Sequence, residues 1–543
     1  MKAMNFDFQS RRSMVLARRG MVAASNPLAS QAGLQILRQG GNAADAAIAT
    51  AAVMNVVAPA STGIGGDCFA IYYDAAADQV TTLNGSGASP AALNIDTVRQ
   101  SNQDAYRIDR SSPHAVTVPG AVRGWEDLIK RHGSLPLATI LEAAIDYASE
   151  GYALSPVFGH AWSSKAVEQF LKASPYTEDY LPDGHAPQVG QIVRLPGLAR
   201  TLQRIAEGGA DAFYEGETAQ AIVQTLAELG GLMSLDDLQA HRSSWGEPIR
   251  ASYRGRYEIL EHAPNGQGLT ALIAMKIAEG WELAQLAPLS PERLHLMIEA
   301  MRLAFADARE YIADMDSNPA PIEALLSDAY IRERQALISP HHAMLPPTFG
   351  QPLGSSNTIY LSVVDGQGNA CSFINSLYMG FGSGIVAKGT GVFLQNRGCG
   401  FVLDPRHANA LQGRKRPYHT IIPGMAFKDG QFWSSFGVMG VDMQPQGHFQ
   451  VLSAMIDDDL NPQEALDQPR WCLADGTSNS TLLLEEGIPV KTMSKLAELG
   501  HKIQPISGPA RAVFGSGQII CKDDQAVLYG GSDPRKDGLV AAW

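Results

Sequence analysis

The apolar positions along the chain fall into two textures. Near the start, "NPLASQAGLQILRQGGNAADAAIATAAVMNVV" reads as two helices around a Gly40-Gly41 break. Asn26-Pro27 would open the first and Asn42 would cap the second, because an Asn side chain accepts from the free amides of a first turn and Pro fits the first helical position. After the glycine cluster "TGIGGD", the stretch "CFAIYYDAAADQVTTLNGSG" predicts a strand hairpin. From about Trp125 to Leu345 the pattern is mostly helical, with helical spacing in "PLATILEAAIDYASEG" and "SPERLHLMIEAMRLAFADAREYI".

From Thr358 the texture changes. Strand signals recur in "TIYLSVVD", "ACSFINSL", "TIIPGMAFKDG", "QFWSSFGV" and "GQIICKDDQAVLYGGS", with helices at "HFQVLSAMIDD" and "TMSKLAELG". Helices mixed with antiparallel hairpins predict layered packing of the α+β kind, with helices covering stacked sheets. No internal repeat and no low-complexity linker separates the halves, so one packed unit is expected.

A formal charge of −13 argues against a nucleic-acid partner, because phosphate recognition needs basic surface. No apolar run reaches the roughly 18 residues of a membrane span; the closest, "AADAAIATAAVMNVVAPA", carries Asp45 and Asn55. The N-terminal stretch has no continuous apolar segment of the signal-peptide type. Five scattered cysteines without CxxC spacing indicate neither a disulfide framework nor a zinc site. A cytoplasmic protein without a membrane partner is the expectation.

Thr358 follows the polar loop "GSSN" directly. By base rate a threonine at a strand start is structural, and its hydroxyl is a poor nucleophile without a base. One arrangement supplies the base. If the Thr358 hydroxyl attacks the Asn357 carbonyl and the resulting ester hydrolyses, Thr358 becomes a chain terminus. Its α-amine, with an ordinary pKa of about 7.7–8.0, then takes the hydroxyl proton near neutral pH.

Neighbouring motifs decide between these readings. "GMVAASNPLASQAGLQILRQGGNAADAA", "NTIYLSVVDGQGNA", "GFGSGIVAKGTGVFLQNRGCGF", "GRKRPYHTIIPGMAFKDG" and "YGGSDPRKDG" occur in this order. Together they resemble the γ-glutamyltranspeptidase family of N-terminal-nucleophile hydrolases, from about Gly20 to the C-terminus. The resemblance implies a four-layer αββα sandwich made from one proenzyme. Cleavage between Asn357 and Thr358 would give a large subunit, residues 1–357, and a small one, residues 358–543. Thr358 falls on the nucleophile and Ser376 on a threonine that hydrogen-bonds it. Gly440 and Val441 fall on the glycine pair whose amides form the oxyanion hole. No metal or organic cofactor is implied, and the number of αβ units per particle, a dimer included, is left open.

The departures bear on substrate. Where the transpeptidases hold the glutamyl α-carboxylate and α-amine, "LNGSGASPAAL" offers no arginine, with Ser86 nearest the place. The acidic position reads Gly400 and the serine pair reads His419-Thr420. A family asparagine is replaced by Tyr378, and Arg397 stands at a glutamine position. Arg397 is suited to bidentate capture of a carboxylate, the alternative being a structural pair with Asp404. His419 is either a neutral donor to substrate or a packed histidine beside Tyr418. The set Arg397, Tyr378, His419 and Thr420 implies a small acyl group with a carboxylate and no α-amine, its size limited by Tyr378 and Val441. The pattern resembles a divergent branch that includes oxamate amidohydrolase. A γ-glutamyl hydrolase or transferase with unfamiliar binding residues, and a non-catalytic member, are the rival readings.

Overall fold

The computed structural model describes residues 12–101, 106–344, 358–477 and 480–543. The expected cleavage-site residue Asn357 lies outside the described residues. Two seven-stranded antiparallel sheets stack face to face. The first runs, in spatial order, Leu539–Ala542, Gly20–Ala24, Ile359–Asp365, Ala370–Ser376, Asp67–Asp74, Gln79–Gly85 and Ser244–Gly246. The second runs Val15–Ala17, Leu528–Ser532, Ser516–Lys522, Gln431–Met439, Gly424–Lys428, Tyr257–Glu261 and Ile249–Tyr253. Each sheet therefore contains segments from before and after Thr358.

The strand after Thr358 shows why four layers form. It is buried on both faces, so its residues alternate between two apolar environments rather than between core and water. Ile359, Leu361 and Val363 join the cluster formed with helices Pro27–Arg38, Ala43–Val57 and Leu137–Glu150. Tyr360 and Val364 point the other way, into clusters between the sheets with Met439 and Met425. A second helical layer, Gly268–Ala278, Pro291–Tyr311 and Met443–Ile456, buries the far face of the second sheet, with Leu272, Met297 and Phe449 in one cluster with the sheet's Phe436. This is the αββα sandwich. Gly437 sets the spacing between sheets at one point: a Cβ there would sit 2.5 Å from the Tyr360 ring, so only a glycine admits that ring.

The predicted caps form. Asn26 accepts from Leu28 N, and Asn42 makes a reciprocal capping box with Asp45. The region from Trp125 onward is mostly helical, as expected, and it also carries Ser244–Gly246, Ile249–Tyr253 and Tyr257–Glu261, strands at or next to the sheet edges. They are short, and the outermost carry exposed polar residues such as Arg250 and Ser252, so their apolar alternation is weak. In "TIIPGMAFKDG" only Gly424–Lys428 is strand, and the preceding residues form a loop over the site. Among the described residues no helix is long and apolar enough to cross a membrane.

Candidate active site

Thr358 lies immediately before Ile359–Asp365, whose partner strand ends at Ser376. The register pairs Ile359 with Asn375, which places Thr358 beside Ser376 at the end of the ladder. Both are fully buried, and their hydroxyl oxygens are 3.0 Å apart. Ser376 Oγ also accepts from Tyr378 N at 2.9 Å and from Arg397 Nη2 at 3.4 Å. Two acceptances occupy both lone pairs, so the Ser376 proton points at Thr358 Oγ1. The Thr358 proton is thereby left for a base.

Arg397 is fully buried behind these hydroxyls. Its Nη1 donates to Thr420 Oγ1 at 2.8 Å and its guanidinium lies 4.1 Å over the Tyr378 ring. Burial pulls its pKa down to about 10, with Tyr378 and Asp67 opposing, so it stays a cation at neutral pH. Its Nε has no acceptor among the described residues. Asp404 is engaged by Arg406 at 2.7 Å, so the charge that faces Arg397 is that of Asp67.

Asp67, which closes the "TGIGGD" cluster, was not singled out by sequence. Burial pushes its carboxyl up to about 7 against the pull of Arg397 and its donors. Oδ1 accepts from Gln395 Nε2 at 2.9 Å and from the amides of Gly87 and Gly120, each at 3.2 Å. His419 Nε2 meets Oδ2 at 3.0 Å. Burial, with Arg397 adding to it, holds His419 well below the usual histidine range and so neutral. Ile421 N donates to its Nδ1 at 3.4 Å, which leaves the proton on Nε2 for Asp67. Both ring nitrogens are thus engaged by the protein, and the ring packs 4.8 Å from Phe69.

At Gly440 the strand Gln431–Met439 turns into the helix Met443–Ile456. Met443 N donates to Gly440 O at 2.9 Å and Gln444 N to Val441 O at 3.2 Å. Among the described residues no acceptor stands against the Gly440 or Val441 N–H. Two free amides at the start of a helix suit a developing negative charge. Val441 has φ 52° and Tyr378 φ 80°, conformations rare for side chains of this bulk. The two residues share an apolar cluster with Met379, against which the half-buried Cys399 packs. Strain of this kind, costing on the order of 1–3 kcal/mol per residue, concentrates where function requires it.

The residues at the positions expected from the resemblance to hold a γ-glutamyl group make contacts within the protein. A Cβ on Gly400 would lie 3.1 Å from Tyr418 O, leaving an acidic side chain little room. Ser86 Oγ is turned to Asn84 Oδ1 at 2.6 Å, and its carbonyl accepts from Arg416 Nε at 3.0 Å. Arg309, also not foreseen, pairs with Asp442 at 3.0 Å and lies 5.2 Å over the Tyr418 ring. Gln267 Nε2 donates to Thr420 O and Val441 O, each at 2.7 Å.

Comparison with known proteins bears on the family and the fold. The sequence profile described as gamma-glutamyltranspeptidase matches residues 29–543. The chain is 38% identical to the glutathione hydrolase-like YwrD proenzyme of Bacillus subtilis, over 97% of this chain and 99% of that protein. It is 34% identical to the oxamate amidohydrolase proenzyme of Klebsiella pneumoniae, over 96% and 98% respectively. The crystal structure of cephalosporin acylase from Bacillus halodurans superposes with a TM-score of 0.91 at 43% identity, covering 100% of this chain and 99% of that one. The chain belongs to the γ-glutamyltranspeptidase family and is an amidohydrolase of it.

Proposed function

We propose that this protein cuts itself between Asn357 and Thr358 and then hydrolyses the amide of a small acyl donor that carries a carboxylate and no α-amine, oxamate being the simplest example. Residues 1–357 and 358–543 remain together as large and small subunits, in the reducing cytoplasm that five scattered cysteines favour. The observation that carries the reading is the buried Thr358–Ser376 hydroxyl pair with the Arg397 guanidinium one hydroxyl away.

The steps follow from the proton inventory. The Thr358 amine takes the Oγ1 proton and Oγ1 bonds to the amide carbon. The carbonyl oxygen becomes an anion held by the Gly440 and Val441 amides. The protonated amine returns its proton to the departing nitrogen as the C–N bond breaks, and ammonia or an amine leaves. Water, deprotonated by the same amine, then cleaves the Thr358 ester and releases the acid. Arg397, with an unused Nε donor beside its stacked Tyr378, receives the substrate carboxylate. Thr420 holds the guanidinium in place, and His419 acts through Asp67, which balances the charge of Arg397.

The substrate class rests on what surrounds this cation. A γ-glutamyl donor would bring an ammonium to Gly400 with no anion to meet it, at a cost of several kcal/mol. A relative at 34% identity is named for oxamate hydrolysis. The cleaved enzyme is therefore expected to release ammonia from oxamate with kcat/KM at least ~100-fold above its release of p-nitroaniline from γ-glutamyl-p-nitroanilide. Turnover of the anilide with none of oxamate would return the chain to γ-glutamyl chemistry.

Val441 carries a further expectation. Val441→Gly removes a side chain from the acyl pocket and suits φ 52°, which glycine adopts freely. Turnover of glutaryl-p-nitroanilide should rise by ~10-fold relative to oxamate, with Tm nearly unchanged. An unaltered ratio would show that Val441 does not limit acyl size.

A further inference from the structure

Gln267 is fully buried and uses all of its side-chain hydrogen-bonding groups on the loops that build the site. Its Oε1 accepts from Tyr418 OH at 2.7 Å, and its two Nε2 protons go to Thr420 O and Val441 O, each at 2.7 Å. The residue precedes the helix Gly268–Ala278, whose start is fixed in place: a Cβ on Gly268 would lie 2.5 Å from His262 O. Next to it, His419 N donates to Asn265 O at 2.8 Å and Asn265 Nδ2 to Pro417 O at 2.9 Å. The loop carrying His419 and Thr420 is therefore stitched to a rigid element, and Gln267 extends the stitching to Val441.

The bond to Val441 has a mechanical consequence. A β-branched residue at φ 52° persists only where its surroundings over-determine it. The carbonyl of Val441 is held from two sides, by Gln444 N at 3.2 Å and by Gln267 Nε2. Without the second hold the residue is free to relax toward an extended conformation. That rotation would turn the Gly440–Val441 peptide, and its N–H, away from the place proposed for the oxyanion. We infer that Gln267 is a positioning residue for the oxyanion-binding amides, an inference that rests on the reading of Gly440 and Val441 given above. Because Thr420 also holds Arg397, the same side chain sets the spacing between the amides and the cation that receives the substrate. Arg397 keeps its own contacts with Ser376 and Tyr378, so its position depends on Gln267 far less than the amides do.

The test uses the cleaved enzyme and the amide that wild type turns over fastest. Gln267→Met keeps the volume and removes all three bonds. It should lower kcat by ~10–100-fold, short of the full loss of an oxyanion donor, with KM within ~3-fold. Gln267→Glu keeps the acceptor for Tyr418 but turns a carboxylate oxygen toward two carbonyls. It should be slower still, and part of its deficit against wild type at the same pH should close as pH falls toward 5, where the protonated acid donates to one of them. A purely structural residue would not show that pH-dependent rescue.

A second probe separates the two readings. 2-Carboxyethylboronic acid bonds through boron to Thr358 Oγ1, whose proton passes to the Thr358 amine, and becomes a tetrahedral anion facing the same amides. Wild type should bind it more tightly than succinate, its trigonal counterpart. Gln267→Met should lose ~10–100-fold of the boronate affinity and keep the succinate affinity. Wild-type preference for the boronate, with no loss in Gln267→Met of either kcat or that preference, would overturn the role of Gln267 alone. No preference in wild type would overturn the oxyanion reading and this inference with it. Where a Gln267 variant stays uncleaved, Tyr418→Phe, which removes one of the three bonds, gives the same readouts with smaller changes; wild-type kcat and boronate affinity in that variant would then overturn the role of Gln267.

Discussion

Thr358→Ala is expected to purify as one uncleaved chain of 58.1 kDa with no measurable amide turnover. Both losses have one cause, because in the proposed mechanism Oγ1 is the attacking atom in self-cleavage and in catalysis. The variant should still fold. The side chain loses a hydroxyl and a methyl in a fully buried position, and the remaining Ser376 hydroxyl keeps its bonds to Tyr378 N and Arg397. A cost of about 1–3 kcal/mol fits a small core truncation. Thr358→Ser keeps the hydroxyl and loses only the methyl that fixes its rotamer. It should cleave slowly and retain about one-tenth of wild-type turnover. Cleavage in Thr358→Ala, followed on a denaturing gel, would remove Thr358 from the mechanism.

Arg397→Met is expected to raise KM for the carboxylate-bearing amide by ~100-fold or more, in line with the loss of one partner of a desolvated charge pair. Self-cleavage should slow as well, because Arg397 donates to Ser376 Oγ, which orients the Thr358 hydroxyl. There is a stability cost with a definite sign in pH. Asp67, pushed up to about 7 with Arg397 present, would rise further without it. Between the unfolded value near 4 and the folded value, the folded protein keeps a proton that the unfolded chain has lost. Stability contributed by this group therefore falls as pH rises through that window, and Arg397→Met should be less stable at pH 8 than at pH 5, relative to wild type. Adding Asp67→Asn removes the uncompensated anion. The double variant should recover stability while its KM stays high. A double variant with both restored would make Arg397 a structural cation and leave the substrate carboxylate without a partner.

What sequence could and could not show follows from how far apart the interacting residues lie. Thr358 and Ser376 sit on one hairpin, so local alternation and the turn "DGQGN" already bring them together. The helices from Pro27 to Val57 and the hairpin from Asp67 to Gly85 carry strong periods and caps, and they form as expected. Asp67 was hidden for the opposite reason. Its partners His419, Gln395, Gly87 and Gly120 come from remote stretches, and a single Asp after a glycine cluster has no pattern of its own. Gln267 and the Arg309–Asp442 pair are of the same kind, each joining the two halves of the chain across the site. Arg397 was visible as a departure from the family pattern. Its freedom from Asp404 was not, because only the fold places Arg406 on that carboxylate.

Thr358 is expected to be a chain terminus in the working enzyme. Intact mass and N-terminal sequencing of purified wild-type protein test this most directly. Two fragments that stay associated under native conditions are expected, the smaller beginning Thr358-Ile359-Tyr360-Leu361. A single chain of 58.1 kDa that turns over amides, or a new terminus at any other residue, would contradict that expectation.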